Sequence, residues 1–510
     1  MSRPADVLVV GAGSAGCVLA ARLSEDPECR VRLVEAGGRP ADPRLADPLQ
    51  WPFLDGGPFD WGHRTTPQPG TAGRTHAWPR GRVLGGSSQL HAMAHVRGHP
   101  ADFDAWAEAA GPGWSYGALL PHFIRSEAFS GGASEHHGAD GPMPVWLPDR
   151  LHPVAEAYML GAEEAGFAPS GDHNGPRMEG PARNSLMIRE GRRVSVSDAY
   201  LDPVRGRPNL EVVTDVLVDR IVVSRGRATG IEAVIDGTRQ VLHAGMVVLA
   251  AGAVSSPLIL MRSGIGAPED LAPHGLACAV ELPAVGRNLH DHLLAAGNLY
   301  RARRTVPPSR LQHSESLLYV NDGGGPAPDI VTTCVLLPAV SDAFPRPEAG
   351  TCFTLMFGVC HPRSRGRIAL GGAGPLDPPV IDPAYLSAEE DRERFRAALR
   401  LARRVAGGAA LDEWREEELL PGLEVQDDRD VDAFIARAAV THHHPVGTCA
   451  MGRDPLASVV GGDLRVHGVE GLVVADASVI PVITTGPIHA AILAIAERAS
   501  ELISAPLASL

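Results

Sequence analysis

With 510 residues, 44% hydrophobic and 21% charged, the chain has the composition of a soluble globular protein long enough for more than one domain. Its net charge of -14 and pI near 5.8 argue against a nucleic-acid binder, which needs a basic face to release counterions. All 46 basic residues are arginine, which excludes Schiff-base catalysis, a pyridoxal-phosphate lysine linkage and a P-loop lysine.

Ala5-Asp6-Val7-Leu8-Val9-Val10 predicts a buried parallel strand. Gly11-Ala12-Gly13-Ser14-Ala15-Gly16 follows at once, and residues 17–23 predict a helix. Residues 30–34 predict a second strand ending in Glu35, completing a βαβ unit with G-x-G-x-x-G at its first turn. Gly11 permits the tight turn, Gly13 lets the backbone approach a pyrophosphate, and Gly16 lets helix and strand pack closely. The helix N-terminus offers free N–H groups to the phosphates. Glu35, 19 residues after Gly16, has the spacing of an acid that binds ribose hydroxyls. The motif suits a nicotinamide or a flavin dinucleotide, and its place at the start of a long chain leans toward FAD.

The opening residues run into this strand rather than into a charged-then-apolar leader, so a cytoplasmic location is expected. No run reaches the roughly 18 apolar residues of a membrane span. The seven cysteines are scattered and form no C-x-x-C pair, so neither a disulfide framework nor a zinc ribbon is expected.

Further along, residues 329–335 and 351–357 predict strands of an antiparallel sheet, and residues 391–406 an arginine-rich helix with a solvated face. Near the C-terminus stands Thr441-His442-His443-His444-Pro445-Val446-Gly447-Thr448. Pro445 pushes His444 toward extended backbone, and side chains alternate faces in extended chain. His442 and His444 are therefore expected on one face, with His443 turned away. Such a pair suits a metal, or else a base beside a second imidazole that orients substrate. No acidic or cysteine ligand lies nearby in sequence, so no metal is expected. Residues 471–475 predict a strand ending at Asp476, and Pro487 opens a helix over residues 488–503.

Four further segments carry a resemblance: residues 81–91 (Gly81-Arg82-Val83-Leu84-Gly85-Gly86-Ser87-Ser88-Gln89-Leu90-His91), residues 252–266, His444-Pro445-Val446-Gly447-Thr448, and residues 473–478 with the terminal helix. With the N-terminal unit, the chain resembles the glucose–methanol–choline (GMC) oxidoreductase family over nearly its whole length. The family signature that opens with the first segment runs on past His91, and this chain departs from it at His95. The resemblance implies an α/β fold. A discontinuous Rossmann-type FAD-binding domain (residues 1–145, 192–294 and 428–510) would carry an α+β substrate domain built on an antiparallel sheet (residues 146–191 and 295–427).

It also implies FAD-dependent oxidation of a primary alcohol to an aldehyde, with hydride passing to flavin N5 and the proton to His444. Oxygen or another electron acceptor would complete the cycle. The resemblance assigns Gly11, Gly13, Ser14, Ala15, Gly16 and Glu35 to FAD, together with Val83, Ser87, His91 and Val216. Asp476, Ala477, Pro487 and Ile488 would border it from the C-terminal segment. Where some members attach FAD through a histidine this chain has Leu90, so the cofactor is expected to be noncovalent.

Most members place His or Asn at the position of Pro487, 43 residues after His444. Proline offers no donor, so His442 is expected to replace it, with His489 as the alternative. That combination is similar to the pyridoxine 4-oxidase branch of the family and favours a ring-bearing alcohol such as pyridoxine. A choline-type or other small alcohol is the runner-up, and a hydroxynitrile-type lyase with non-redox FAD is the alternative of another class. The His290-Asp291-His292 and His136-His137 clusters are read as structural.

Overall fold

A computed structural model describes residues 4–507. Two sheets organise it. The first has the order Leu210–Val213, Val31–Val34, Ala5–Val10, Thr238–Leu249, Arg227–Ile235 and Val216–Ser224, with Leu472–Val474 also paired to Thr238–Leu249. One 12-residue strand serves two roles in it. Its last six residues pair in parallel with Ala5–Val10 and Leu472–Val474 and are largely buried, while its first part pairs antiparallel with Arg227–Ile235 and is largely exposed. This division follows composition. Met246-Val247-Val248-Leu249 is an apolar run fit for burial on both faces, and Thr238-Arg239-Gln240 is polar.

The helix Ser14–Leu23 crosses from the first strand to the second and packs on the terminal helix His489–Leu507. Buried Glu497 fastens the pair, accepting from Arg22 at 2.8 and 2.9 Å and from the Tyr200 hydroxyl at 2.8 Å. A buried carboxylate is tolerable only with such partners.

The second sheet is antiparallel, in the order Arg415–Leu420, Leu299–Ala302, Cys352–Val359, Ile330–Val335, Ser314–Val320 and Gly180–Arg183. The helices Glu389–Ala406 and Pro153–Glu164 pack on it, which explains the almost unbroken burial of its central strands. Leu293–Ala295 pairs with Cys352–Val359 and with Ala439–Thr441. This sheet therefore draws on residues beyond the limits at 294 and 428 expected from sequence. Ala439–Thr441 runs directly into the histidine segment, so the second sheet delivers those histidines to the first. No helix among the described residues is long and apolar enough to cross a membrane.

The His136-His137 pair is divided by its surroundings. His137 lies buried between Glu127 (Nδ1 to Oε1, 2.8 Å) and Asp172 (Nε2 to Oδ2, 2.7 Å), and Arg97 donates to Glu127 at 2.6 Å. Burial opposes the His137 cation, but the two carboxylates outweigh it and raise its pKa to about 9. A folded value above the ordinary one means that this stabilisation is complete below the unfolded value of about 6.5 and is lost as pH rises through 9. Thermal melting across that window is expected to show a declining midpoint in the native chain and a much flatter one in His137→Gln.

Candidate active site

A cavity of about 540 Å³ opens at the C-terminal ends of the parallel strands, lined by Val10, Gly11, Gly13, Ser14, Ala15, Val34 and Glu35. This is where open α/β sheets bind ligands. Gly11 has φ 97°, and a Cβ there would stand 2.7 Å from the Ala250 carbonyl oxygen. A Cβ on Gly16 would lie 1.8 Å from the Gly11 oxygen. The helix Ser14–Leu23 has Gly13 at its N-cap and no side-chain cap, so its first-turn N–H groups remain available to an anion. The second glycine-rich segment folds against the first: the Gly85 N–H donates to the Ala12 carbonyl at 2.8 Å, and a Cβ on Gly86 would meet Gly13 Cα at 2.6 Å.

Of the residues assigned to the cofactor from sequence, Ser87, Val216, Asp476, Ala477 and Ile488 also line this cavity. Gly16 does not, and acts by letting helix and strand approach. Val83 is fully buried and bridges to Gly38, while its neighbours Gly81 and Arg82 face the cavity. His91 lies outside the lining. Its Nδ1 meets Arg193 at 2.9 Å, and its ring stands edge-on to His489 with centroids 4.8 Å apart. Pro487 is half-buried and outside the lining, and the terminal helix begins two residues later at His489. Leu90 packs in an apolar cluster with Leu45 and Leu54.

Both acids are engaged by protein donors. Glu35 accepts from the Ala12 N–H at 2.8 Å and the Gly37 N–H at 2.9 Å, and burial raises its pKa to about 7. Carboxylate oxygens keep further lone pairs for a hydroxyl. Asp476 accepts from the Gly252 and Ser478 N–H groups at 2.8 Å and from the Ser256 and Ser478 hydroxyls at 2.6 Å. It thus ties its own strand end to the N-terminus of the helix Gly252–Arg262, where a negative charge is favoured. Arg64, Arg80, Arg82 and Arg262 also line the cavity. Free helix N–H groups, arginines, and a turn without side chains on the phosphate side fit the two phosphates of a dinucleotide.

The histidines stand at the junction of the two sheets. The rings of His442 and His444 have centroids 4.4 Å apart. They share a side, but not through simple alternation: His443 is left-handed at φ 64°, with its N–H on the Thr441 hydroxyl and its carbonyl accepting from Arg80 at 2.9 Å. His292 completes a trio, its Nδ1 2.9 Å from Nδ1 of His444 and its Nε2 2.8 Å from the Cys360 carbonyl. His290, two residues away, is structural: its Nδ1 meets the Asn288 carbonyl at 2.6 Å and its Nε2 accepts from the Ile483 N–H at 3.0 Å. The cluster, read as structural from the sequence, thus sits against the histidine pair: His292 touches His444 and Asp291 holds its backbone.

Burial lowers the pKa of these imidazoles, to about 4 for His442, about 3 for His443 and His292, and well below the ordinary value for His444. They are neutral near pH 7. Asp291 holds the backbone in place, accepting from the His444 N–H at 2.7 Å and from the Thr441 and Tyr385 hydroxyls at 2.5 Å. Asp102 does the same for the turn before Pro487. It accepts from the Thr485 N–H at 2.6 Å, and His361, next in sequence to Cys360, meets it at 2.8 Å.

Ligand atoms of His292, His442 and His444 all lie within 4.8 Å of one another, a grouping able to hold a metal ion. The 2.9 Å between His292 and His444 is nevertheless a hydrogen-bond length. Two nitrogens on one tetrahedral zinc with bonds of about 2.0–2.1 Å would stand roughly 3.3 Å apart. Around His444, Asp291 and His292 were expected only as members of a structural cluster, and Arg80 and Tyr385 were not expected at all. Their relation to His444 comes from pairing between strands distant in the chain, and no local motif announces it.

The N-terminal GMC oxidoreductase family model matches residues 5–294, and the C-terminal one residues 362–496. The chain is 49% identical to pyridoxine 4-oxidase of Microbacterium luteolum, across 97% of this chain and 98% of that one. It is 38% identical to mitochondrial choline dehydrogenase of Mus musculus, across 97% and 89%. Among solved structures, pyridoxine 4-oxidase from "Mesorbium loti" superposes with a TM-score of 0.96 at 48% identity, covering 98% of each chain.

Proposed function

The chain belongs to the GMC oxidoreductase family and is an FAD-dependent enzyme that oxidises alcohols; from that premise we propose that it converts a ring-bearing primary alcohol of the pyridoxine kind to its aldehyde, with His444 as the base. The observation that carries this reading is the His442–His444 pair, two neutral imidazoles 4.4 Å apart in a chain that has Pro487 where a donor is usual. Bound FAD would supply the hydride acceptor at its N5 atom. The N–H groups of Ser14 and Ala15 would hold its pyrophosphate and Glu35 its ribose, with Ser87, Val216, Ala477 and Ile488 along its length. Leu90 sits in an apolar cluster and offers no nucleophile, which supports noncovalent binding.

His444 removes the hydroxyl proton, a task suited to a neutral imidazole. His442 donates to or accepts from the same substrate oxygen, a role proline cannot fill. The His489 ring stands edge-on to His91, with centroids 4.8 Å apart, and it is not among the residues grouped with His444. A quaternary ammonium seeks an aromatic or acidic cage. Here Asp291 is occupied by three protein donors and the Arg80 guanidinium lies close by. This favours pyridoxine over choline. A cytoplasmic setting, with no nucleic acid among the partners, belongs to the same reading, and all seven cysteines are free thiols.

Anaerobic addition of an alcohol panel is the test. Pyridoxine is expected to bleach the flavin, and air to restore it if oxygen is the acceptor. A flavin left oxidised by every alcohol would sink the reading and favour a lyase. Faster bleaching by choline would replace the substrate. His442→Ala is expected to slow reduction by pyridoxine about 10²-fold, as for a lost donor at a reacting oxygen, while His489→Ala stays close to the parent rate.

A further inference from the structure

We propose that His292 is a positioning residue that fixes the tautomer of His444, so that its Nε2 is the bare nitrogen that takes the proton. This inference rests on the role of His444 as base. The Cys360 carbonyl lies 2.8 Å from His292 Nε2, and a carbonyl only accepts, so that nitrogen carries a proton. A neutral imidazole has one N–H, and Nδ1 of His292 is therefore a lone pair. His444 Nδ1, 2.9 Å away, must donate to it. The proton of neutral His444 then resides on Nδ1 and its Nε2 is free to accept.

The anchor of this relay, Cys360, is fully buried. Cys360 directly follows the strand Cys352–Val359, and its own N–H donates to the Asp329 carbonyl at 2.9 Å. His292 is buried, and its carbonyl accepts from the His442 N–H at 2.8 Å, so one residue spaces both imidazoles of the pair. Once His444 accepts a proton at Nε2, its Nδ1–H faces a lone pair, which stabilises the cation and lets the charge spread onto His292. An orienting partner behind a base is a recurring device, because a wrong tautomer leaves the geometry intact and the base silent. The groups facing this dyad are His442 and His443 on its own segment, Asp291 beside it, Arg80 and His361. The histidines are neutral when buried and Asp291 is taken up by donors, so His292 is the group that responds to the proton on His444.

The experiment compares His292→Leu, which removes the acceptor, with His292→Gln, whose side-chain oxygen accepts but whose amide does not titrate. Flavin reduction is followed anaerobically against pH, with wild type alongside. His292→Leu is expected to reduce flavin about 10²-fold more slowly or worse, in the range spanned by a lost general base, with the acid limb of kcat/KM displaced to lower pH. His292→Gln should recover most of the rate. A second readout is independent of turnover: in ¹⁵N-histidine protein the His444 resonances, identified by their loss in His444→Ala, should report a proton on Nδ1 in wild type and in His292→Gln. Wild-type rate and pH limb in His292→Leu would overturn the proposal, as would a proton on Nε2 of His444. If His292→Leu does not fold, His292→Gln and the resonances still decide. Absence of bleaching in wild type would instead strike the base assignment itself.

Discussion

Replacing His444 by alanine is expected to lower the rate of flavin reduction by about 10²–10⁴-fold, the contribution of a lost general base. Binding should suffer far less, because the cavity that would hold the cofactor is lined by other groups. The backbone of His444 is fastened through its N–H to Asp291, and the segment through Arg80 to the His443 carbonyl, neither of which the substitution touches. Stopped-flow reduction at saturating alcohol separates the two effects. A rate within twofold of wild type would remove His444 from the role. The sign of the pH dependence follows from burial. An imidazole whose pKa is held below its usual value is already a free base at neutral pH, so the acid limb of wild-type kcat/KM is expected below about 6.5.

The second large effect is expected from a pair of glycines three residues apart. Gly16→Ala puts a Cβ 1.8 Å from the Gly11 carbonyl oxygen, a backbone atom that cannot step aside. The helix Ser14–Leu23 must lift from the strand Ala5–Val10, and the packing on His489–Leu507 goes with it. Overpacking of this kind costs about 1–3 kcal/mol or more, and a protein of lowered melting temperature without flavin is expected. Gly13→Ala is the contrast. Its Cβ would meet Gly86 Cα at 3.9 Å, an ordinary contact, and φ at Gly13 is -79°. The protein itself has room, so the apoprotein should melt as wild type does. The proposed pyrophosphate site lies against this turn, which lines the cavity, so the added methyl should crowd the cofactor and flavin should be lost. Flavin absorbance with apoprotein melting checks both. Retention of flavin by Gly13→Ala would remove that turn from the pyrophosphate site.

Much of this was readable in advance where a function resides in contiguous residues. The strands Ala5–Val10 and Val31–Val34 and the helix between them lie within a residue or a few of their expected limits. Apolar run, glycine spacing and terminal acid are local signals, each with a local physical cause. The strands Ile330–Val335 and Cys352–Val359 and the helix Glu389–Ala406 were visible for the same reason. The pairing of His442 with His444 was also foreseen, but its mechanism was not. Alternation in extended chain would have sufficed, whereas the chain turns through a left-handed His443, held by Thr441 and Arg80.

The division runs along sequence distance. Composition excludes lysine chemistry, and the order of glycine-rich segments marks a dinucleotide fold, because both depend on residue identity and short-range spacing alone. What surrounds His444 depends on which strands pair. Leu293–Ala295 joins Ala439–Thr441 and Cys352–Val359, and that pairing alone brings His292 and the Cys360 carbonyl behind a histidine 152 residues away from His292. A hydrogen bond 2.9 Å long is set by the register of a sheet, and register emerges only when the buried faces of distant segments are matched to one another.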